Sequence, residues 1–298
     1  MLFHTITPDH CIKRLILIAT LSLTACGSLL GTHLTPTPSA TPLPPTPTPE
    51  PALATVNGEG ITTAEFQAEL ERFQDAQTAK GNSTSPEEAR QRVLDDLIDQ
   101  VLLAQGARAA GFEVDDALLQ ARIQTLTAQI GDPEALSTWQ SVHGYTSDSF
   151  HAALRRAMAA AWMRDQIIAA VPATAEQVHI QQILLYNEDT ARDISARLSA
   201  GADFEALAAE YDAITRGDLG WCPRGYLLEA KIEQAAFALQ PGQTSDVIAT
   251  DIGFHIIKVL ERDQQHPLSP DAYLVMQNLA LSDWLRQQRE RSTIVLTP

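Results

Sequence analysis

At 298 residues and 45% hydrophobic composition, the chain can bury one or two packed cores and still carry appendages. It sets 21 basic against 37 acidic residues, a net charge of −16, which argues against nucleic acid or an anionic lipid surface as partner. Of its three cysteines, Cys11 and Cys26 fall in the N-terminal leader and only Cys222 remains, which excludes an intrachain disulfide framework and a cysteine metal cluster in the mature fold.

Lys13-Arg14 precede an apolar run, Leu15 to Leu23, that ends at Leu23-Thr24-Ala25-Cys26. A basic region, a short apolar stretch and small residues make a signal peptide over 1–25, too short to span a bilayer securely. Residues 26–51 form a Thr/Pro-rich tether, with Thr35-Pro36-Thr37-Pro38 and Pro44-Pro45-Thr46-Pro47-Thr48-Pro49, a composition that favours extended polyproline segments and buries no core.

A mostly helical domain is expected over 52–172. It opens with a short strand and turn, Ala54 to Ile61. Thr62 and Glu65 then pair as a capping box before a helix whose apolar stripe is Phe66, Leu70 and Phe73. Ser85, Pro86 and Glu88 start a second helix, striped by Val93, Leu97 and Val101 and stopped at Gly111. A third helix begins at Asp115 or Asp116, carries Leu119, Ile123, Leu126 and Ile130, and ends at Gly131. Residues 133–142 read as a short helix, and a long one runs from Ser147 through Phe150, Leu154, Met158, Trp162 and Ile168 until Val171-Pro172 ends it.

A second domain is expected over 173–262. Glu176 to Leu184 is strand-like, Gly201 to Ala208 is helical, and Gly253 to Val259 alternates as a strand with His255, Ile257 and Val259 on one face. The last segment, 263–298, carries a helix with Leu274, Leu281 and Leu285, followed by the β-branched tail Ser292-Thr293-Ile294-Val295.

Three resemblances sit on these residues. Leu23-Thr24-Ala25-Cys26 resembles a bacterial lipobox, which implies acylation of Cys26; the alternative is an ordinary secretory signal with Cys26 incidental. Gly217-Asp218-Leu219-Gly220-Trp221, Arg224-Gly225, Ala235-Ala236-Phe237-Ala238-Leu239, Pro241-Gly242 and Gly253-Phe254-His255-Ile256-Ile257, in that order, resemble the parvulin (rotamase) domain of peptidyl-prolyl isomerases. Val56-Asn57-Gly58-Glu59 with Ile61-Thr62, then Leu94-Asp95-Asp96-Leu97-Ile98, and Gly144-Tyr145-Thr146 before Phe150, are similar to the N-terminal domain of SurA/PrsA-type foldases. The fold implied is α+β: a helical SurA-like domain, a small antiparallel sheet flanked by helices, and a C-terminal helix packing back on the helical domain.

The parvulin resemblance implies a site. His255 matches the second histidine of the family and Thr250 its hydroxyl position. Gln182, in Gln182-Ile183-Leu184, stands where the family writes its first histidine; glutamine donates and accepts hydrogen bonds but does not titrate. The connection before Gly217 is only Asp212 to Arg216, shorter than in the family, and Asp212 is its nearby carboxylate. Asp212 reads either as a catalytic group or as a cap of the preceding helix. A proline-binding cup is expected from Leu219, Leu227, Leu228, Ile232 and Phe237, with Phe254 near the rim; for each, plain core packing is the other reading. His179 projects to the opposite strand face from Gln182.

The chemistry implied is isomerisation of Xaa–Pro bonds without a covalent intermediate, in an apolar cup that favours the twisted amide. The partners implied are unfolded or nascent exported proteins with Xaa–Pro bonds, and a membrane reached only through the Cys26 lipid anchor on the extracytoplasmic side. A non-catalytic holdase with a degenerate parvulin domain is the alternative. No metal spacing, phosphate-binding glycine loop or nucleophile–base pair is present in the sequence, so neither cofactor nor metal is expected, and Cys222 reads as a buried inert thiol.

Overall fold

The computed structural model describes residues 51–297; the leader, Cys26 and nearly all of the tether lie outside them. In chain order the elements are β1 (Ala52–Val56), β2 (Glu59–Thr62), α1 (Thr63–Ala79), α2 (Pro86–Ala109), α3 (Asp116–Ile130), α4 (Pro133–Val142) and α5 (Ser147–Ala169). There follow β3 (Thr174–Leu185), α6 (Glu188–Ser199), α7 (Phe204–Tyr211), β4 (Asp218–Pro223), α8 (Ala230–Ala238), β5 (Ile248–Thr250), β6 (Gly253–Pro267), α9 (Pro270–Arg291) and β7 (Ile294–Leu296).

β1 and β2 form a hairpin whose turn residues, Asn57 and Gly58, both take positive φ (53° and 84°), the geometry that suits a two-residue hairpin loop. The Ser85 capping box forms in both directions, whereas at Thr62 only half of the expected box is made. Thr62 accepts from Glu65 N–H, but the Glu65 carboxylate turns to Arg156 at 2.5 Å on α5, where a charged partner outbids a backbone amide. Phe66, Val93, Leu97, Ile98 and Val101 pack under Val56 and Ile61 as the first core. Where α2 meets α5 the buried residues are Ala104, Ala107 and Ala159, small enough for close approach, beside a Phe112–Trp162 stack at 4.6 Å. On α5 it is Ile167 that is buried, not Ile168.

The chain's end closes this helical part. β7 pairs with β1, Ala54 facing Leu296, and makes a three-stranded sheet in the order β2-β1-β7. The Asn57 side chain fixes the junction: Oδ1 accepts from Thr293 N–H (2.9 Å) and Nδ2 donates to Gln105 (2.8 Å). α9 lies on α2 and α5. Its Leu285 joins the first core, and Arg289 bonds Asp99 (2.7 Å) and Asp95 (3.1 Å) on α2. The C-terminal helix thus packs back on the helical domain.

The second part is a four-stranded antiparallel sheet in the order β4-β3-β6-β5. Alternation along the long β3–β6 pair sorts its side chains into two cores. Val178, Ile180, Ile257 and Val259 face α8 with its Ile232, Ala236 and Phe237. Ile183, Leu185 and Ile256 face the opposite way, against α6 and α7. Helix α6, capped by Asn187 and burying Ala191 and Ile194, has no counterpart in the sequence reading, and neither does the three-residue strand β5.

Gly106 shows how tightly α9 sits. A Cβ there would lie 2.6 and 2.8 Å from two ring carbons of Trp284. Alanine is normally the better helix former, by about 1 kcal/mol. Against a half-buried indole packed this closely the overlap dominates, so Gly106→Ala is expected to lower stability by about 1–3 kcal/mol. The midpoint of urea unfolding measures this; a rise in that midpoint would mean that the indole moves aside freely.

Candidate functional site

The register of three strands assembles one polar row on the α8 face of the second sheet. Gln182 pairs with Ile257 and Leu184 with His255, so Gln182 and His255 are diagonal neighbours on one face. On the other side Ile248 pairs with His255 and Thr250 with Gly253, which places Thr250 diagonal to His255. The side chains join: Gln182 Oε1 lies 3.0 Å from His255 Nδ1, and Thr250 Oγ1 lies 2.8 Å from His255 Nε2. The predicted residues Gln182, Thr250 and His255 are therefore brought together.

His255 is 1% exposed, while Gln182 and Thr250 on either side of it are half-buried. Burial holds the imidazole's pKa below its ordinary 6.5, opposed only by the field of Glu229, so the ring is neutral at pH 7. With Gln182 oriented so that its oxygen faces the ring, Nδ1–H donates to that oxygen and Nε2 accepts from the Thr250 hydroxyl. Thr250 in turn receives Ile252 N–H at 3.3 Å. A ring so enclosed does not touch a substrate. The polar groups beside it, both half-buried, are the Gln182 amide and the Thr250 hydroxyl.

Gln182 is fixed from behind as well. Its N–H donates to Gly217 O at 2.8 Å, and Gly217 has φ +74°, with a hypothetical Cβ only 1.9 Å from Gln182 O. No other residue fits there. The short connection ahead of Gly217 is organised by Asp212 at the C-terminal end of α7. Its Oδ1 accepts from Ile214 N–H (3.0 Å) and Thr215 N–H (3.1 Å), and its Oδ2 meets the Thr215 hydroxyl. Those bonds, the Thr215 hydroxyl first, hold its carboxyl below the ordinary range. Asp212 thus holds the turn that follows α7 rather than capping the helix before it.

The expected cup divides. Leu227 packs at the edge of the α8-face core, Ile232 is buried in it, and Leu219 (39% exposed) and Leu228 (102%) stand open to solvent. Phe237 is 8% exposed, with the Arg224 guanidinium 3.9 Å above its ring, which makes it a core residue covered by a cation. Phe254 departs from expectation. Adjacent strand residues point to opposite faces, so it packs with Ile183, Leu185 and Ile256 under α6 and α7, away from the His255 face. Sequence reading missed Leu184, which is half-buried and pairs directly with His255; its place two residues beyond Gln182 on one strand was the available signal.

The remaining chemistry-bearing residues lie outside this row. His179, on the other face, bonds Asp218 at 2.8 Å and tilts against Trp221, which stacks on His266 at 3.9 Å. Cys222 is fully buried and its thiol is pushed up to about 11, chiefly by desolvation, so it is protonated and inert at neutral pH.

Comparison with known proteins fits this architecture. Residues 46–148 match the SurA-like N-terminal domain, and residues 158–261 match the PPIC-type PPIASE domain. Foldase protein PrsA of Geobacillus kaustophilus is 30% identical over 208 residues, covering 63% of this chain and 71% of the relative. Foldase protein PrsA of Caldanaerobacter subterraneus is 29% identical over 233 residues (69% and 72%). Chaperone SurA of Burkholderia thailandensis is 35% identical over 139 residues, covering 40% of this chain and 31% of the relative. The chain belongs to the PrsA/SurA family of foldases, with a SurA-like helical domain joined to a parvulin-type peptidyl-prolyl cis-trans isomerase domain.

Proposed function

We propose that this foldase accelerates cis–trans isomerisation of Xaa–Pro bonds in unfolded exported proteins, with Gln182 and Thr250 as the groups that meet the substrate and His255 as the residue that aligns them. The single observation that carries the site is the continuous row Gln182–His255–Thr250, closed at both ring nitrogens. The barrier to rotation is about 18–20 kcal/mol, arising from amide resonance. As the bond twists, carbonyl and nitrogen decouple, and the prolyl nitrogen gains lone-pair character. A fixed amide and a fixed hydroxyl beside a dry apolar surface stabilise that twisted state more than the planar one. No proton needs to leave the protein, so a glutamine serves where a titrating group would add nothing. Leu184, Leu227 and Ile232 offer the apolar wall for the proline ring.

The leader and Leu23-Thr24-Ala25-Cys26 support an exported protein acylated at Cys26, whose Thr/Pro tether holds the folded part off the membrane. The boundaries read from sequence, 52–172, 173–262 and 263–298, describe the working parts of the same proposal. The holdase reading is favoured by the absence of the first family histidine at Gln182 and by the short connection before Gly217. It predicts suppression of client aggregation with no acceleration of short peptides.

Two outcomes are expected. Thr250→Ala lowers kcat/KM on Xaa–Pro peptides by about 10–100-fold, Thr250→Ser restores most of it, and His255→Ala lowers kcat with little change in KM. Protease-coupled or NMR exchange assays read this; undiminished activity in Thr250→Ala would remove the hydroxyl from the mechanism. The pH dependence follows from the depressed pKa of His255. The ring is neutral in folded and unfolded chain above 6.5. As pH falls below that value the unfolded chain takes the proton first, so stability declines until the folded pKa is passed, and activity falls only where the folded ring itself takes the proton, lower still. A kcat/KM profile flat above pH 7 with a single acidic limb below 6.5 is expected, and the limb disappears in His255→Asn.

A further inference from the structure

The start of α8 abuts the polar row. Lys231, in its first turn, donates from Nζ to Ala249 O at 3.0 Å, which fastens this end of the helix to β5 one residue before Thr250. Glu229 immediately precedes the helix. Its backbone carbonyl accepts from Ile232 N–H (3.0 Å) and Glu233 N–H (3.1 Å), but its side chain makes no capping bond. Half-buried carboxylates elsewhere among the described residues hold a cation, a hydroxyl or a backbone N–H: Glu65 with Arg156, Glu176 with Arg224, Asp212 with Thr215, Glu233 with Gly225 N–H. Glu229 alone in that class holds none. Its chain neighbours are Leu227, packed at the edge of the core, and Leu228, wholly exposed, with Leu219 also open to solvent. An unpartnered carboxylate beside the exposed Leu228, on a helix start bonded to the strand that carries Thr250, matches a cation on a long aliphatic stem.

We propose that Glu229 determines substrate specificity in this isomerase, selecting client segments that carry lysine or arginine next to the proline. The proposal rests on the isomerase reading of the Gln182–His255–Thr250 row. The carboxylate receives the ammonium or guanidinium, and Leu219 and Leu228 cover the methylene stem. A glutamate or aspartate at the same client position meets like charge instead.

The test uses the full chain in detergent and three peptides, Ala-Lys-Pro-Phe, Ala-Leu-Pro-Phe and Ala-Glu-Pro-Phe, with isomerisation rates and binding by fluorescence anisotropy measured on each. Lysine is expected to exceed glutamate about 10-fold in kcat/KM, a contrast of the size of one charge-assisted contact plus one repulsion. Glu229→Gln shrinks the ratio to about 2-fold and Glu229→Lys inverts it, as the change from one attractive to one repulsive charge requires. Glu87→Gln, the same charge loss in the first turn of α2 in the helical part, leaves the ratio unchanged and so removes the general field of the acidic chain as the cause. A lysine-to-glutamate ratio that survives in both Glu229 variants overturns the proposal. Glu229-dependent binding without acceleration upholds the charge selection and overturns the isomerase reading. Acceleration of all three peptides alike does the reverse, and failure both to bind and to accelerate removes both.

Discussion

The pairing of β3 with β6 is the constraint on which the rest of the isomerase part depends. It runs from Thr174 opposite Pro267 to Leu185 opposite Phe254, and every functional placement follows from its register. Since side chains alternate along a strand, a slip of one residue would send Gln182 and His255 under α6 and α7 and bring Ile183 and Ile256 into the site. Burial enforces the register from both sides. Ile183, Ile256, Ile257 and Val259 are all essentially inaccessible, so neither face could trade partners without exposing a core. The shifts in the ladder fall between Ala175 and Gln177 and between His179 and Ile180, clear of the stretch that carries the polar row.

The helical part depends on a different closure, made by segments 190 or more residues apart. Asn57 bonds Thr293, β7 completes the sheet begun by β1, and Arg289 joins two aspartates of α2. Helices α1 to α5 therefore lack part of their core until the C-terminus arrives. The same α9 that closes them also reaches the isomerase part, where Leu279 lies against Gly225 so closely that a Cβ there would be 2.5 Å from its methyl. Gly225 opens the loop that carries Leu227, Leu228 and Glu229. One helix thus packs on the helical core with its second half and on the wall of the candidate site with its first.

Local chemistry was legible in the sequence where one segment decides its own conformation. Caps at Ser85 and Asp115, stops at Gly111 and Gly131, and the Asn57-Gly58 turn are short-range effects, and each stands where its residues put it. What escaped depends on partners distant in the chain. β7 is a strand only because β1 offers it an edge, and β5 is three residues long, too short for alternation to register. Helix α6 buries just Ala191 and Ile194 fully, and its charged face masks the period. Phe254 was misplaced because motif proximity to His255 was taken for spatial proximity, whereas neighbours on a strand face opposite ways. Asp212 is ambiguous in sequence because its partners, the amides of Ile214 and Thr215, are brought to it only by the turn that follows α7.

The glutamine at position 182 becomes intelligible once the exposure of His255 is known. A buried neutral imidazole needs one acceptor and one donor for its two nitrogens, and leaving either unmatched would cost about 1–3 kcal/mol. A second imidazole beside it can meet that need in one tautomer, but brings another titrating group into a desolvated row. The carboxamide meets it with no titration at all, since its oxygen takes the Nδ1 proton while its amide nitrogen remains free on a half-buried side chain. Replacing histidine by glutamine therefore keeps the geometry of the row and removes one source of its pH sensitivity. The substitution argues less for a dead site than for one whose electrostatics are set by what surrounds it. Among the described residues, the charge whose field opposes burial at His255 is that of Glu229, which ties this carboxylate to the neutral row.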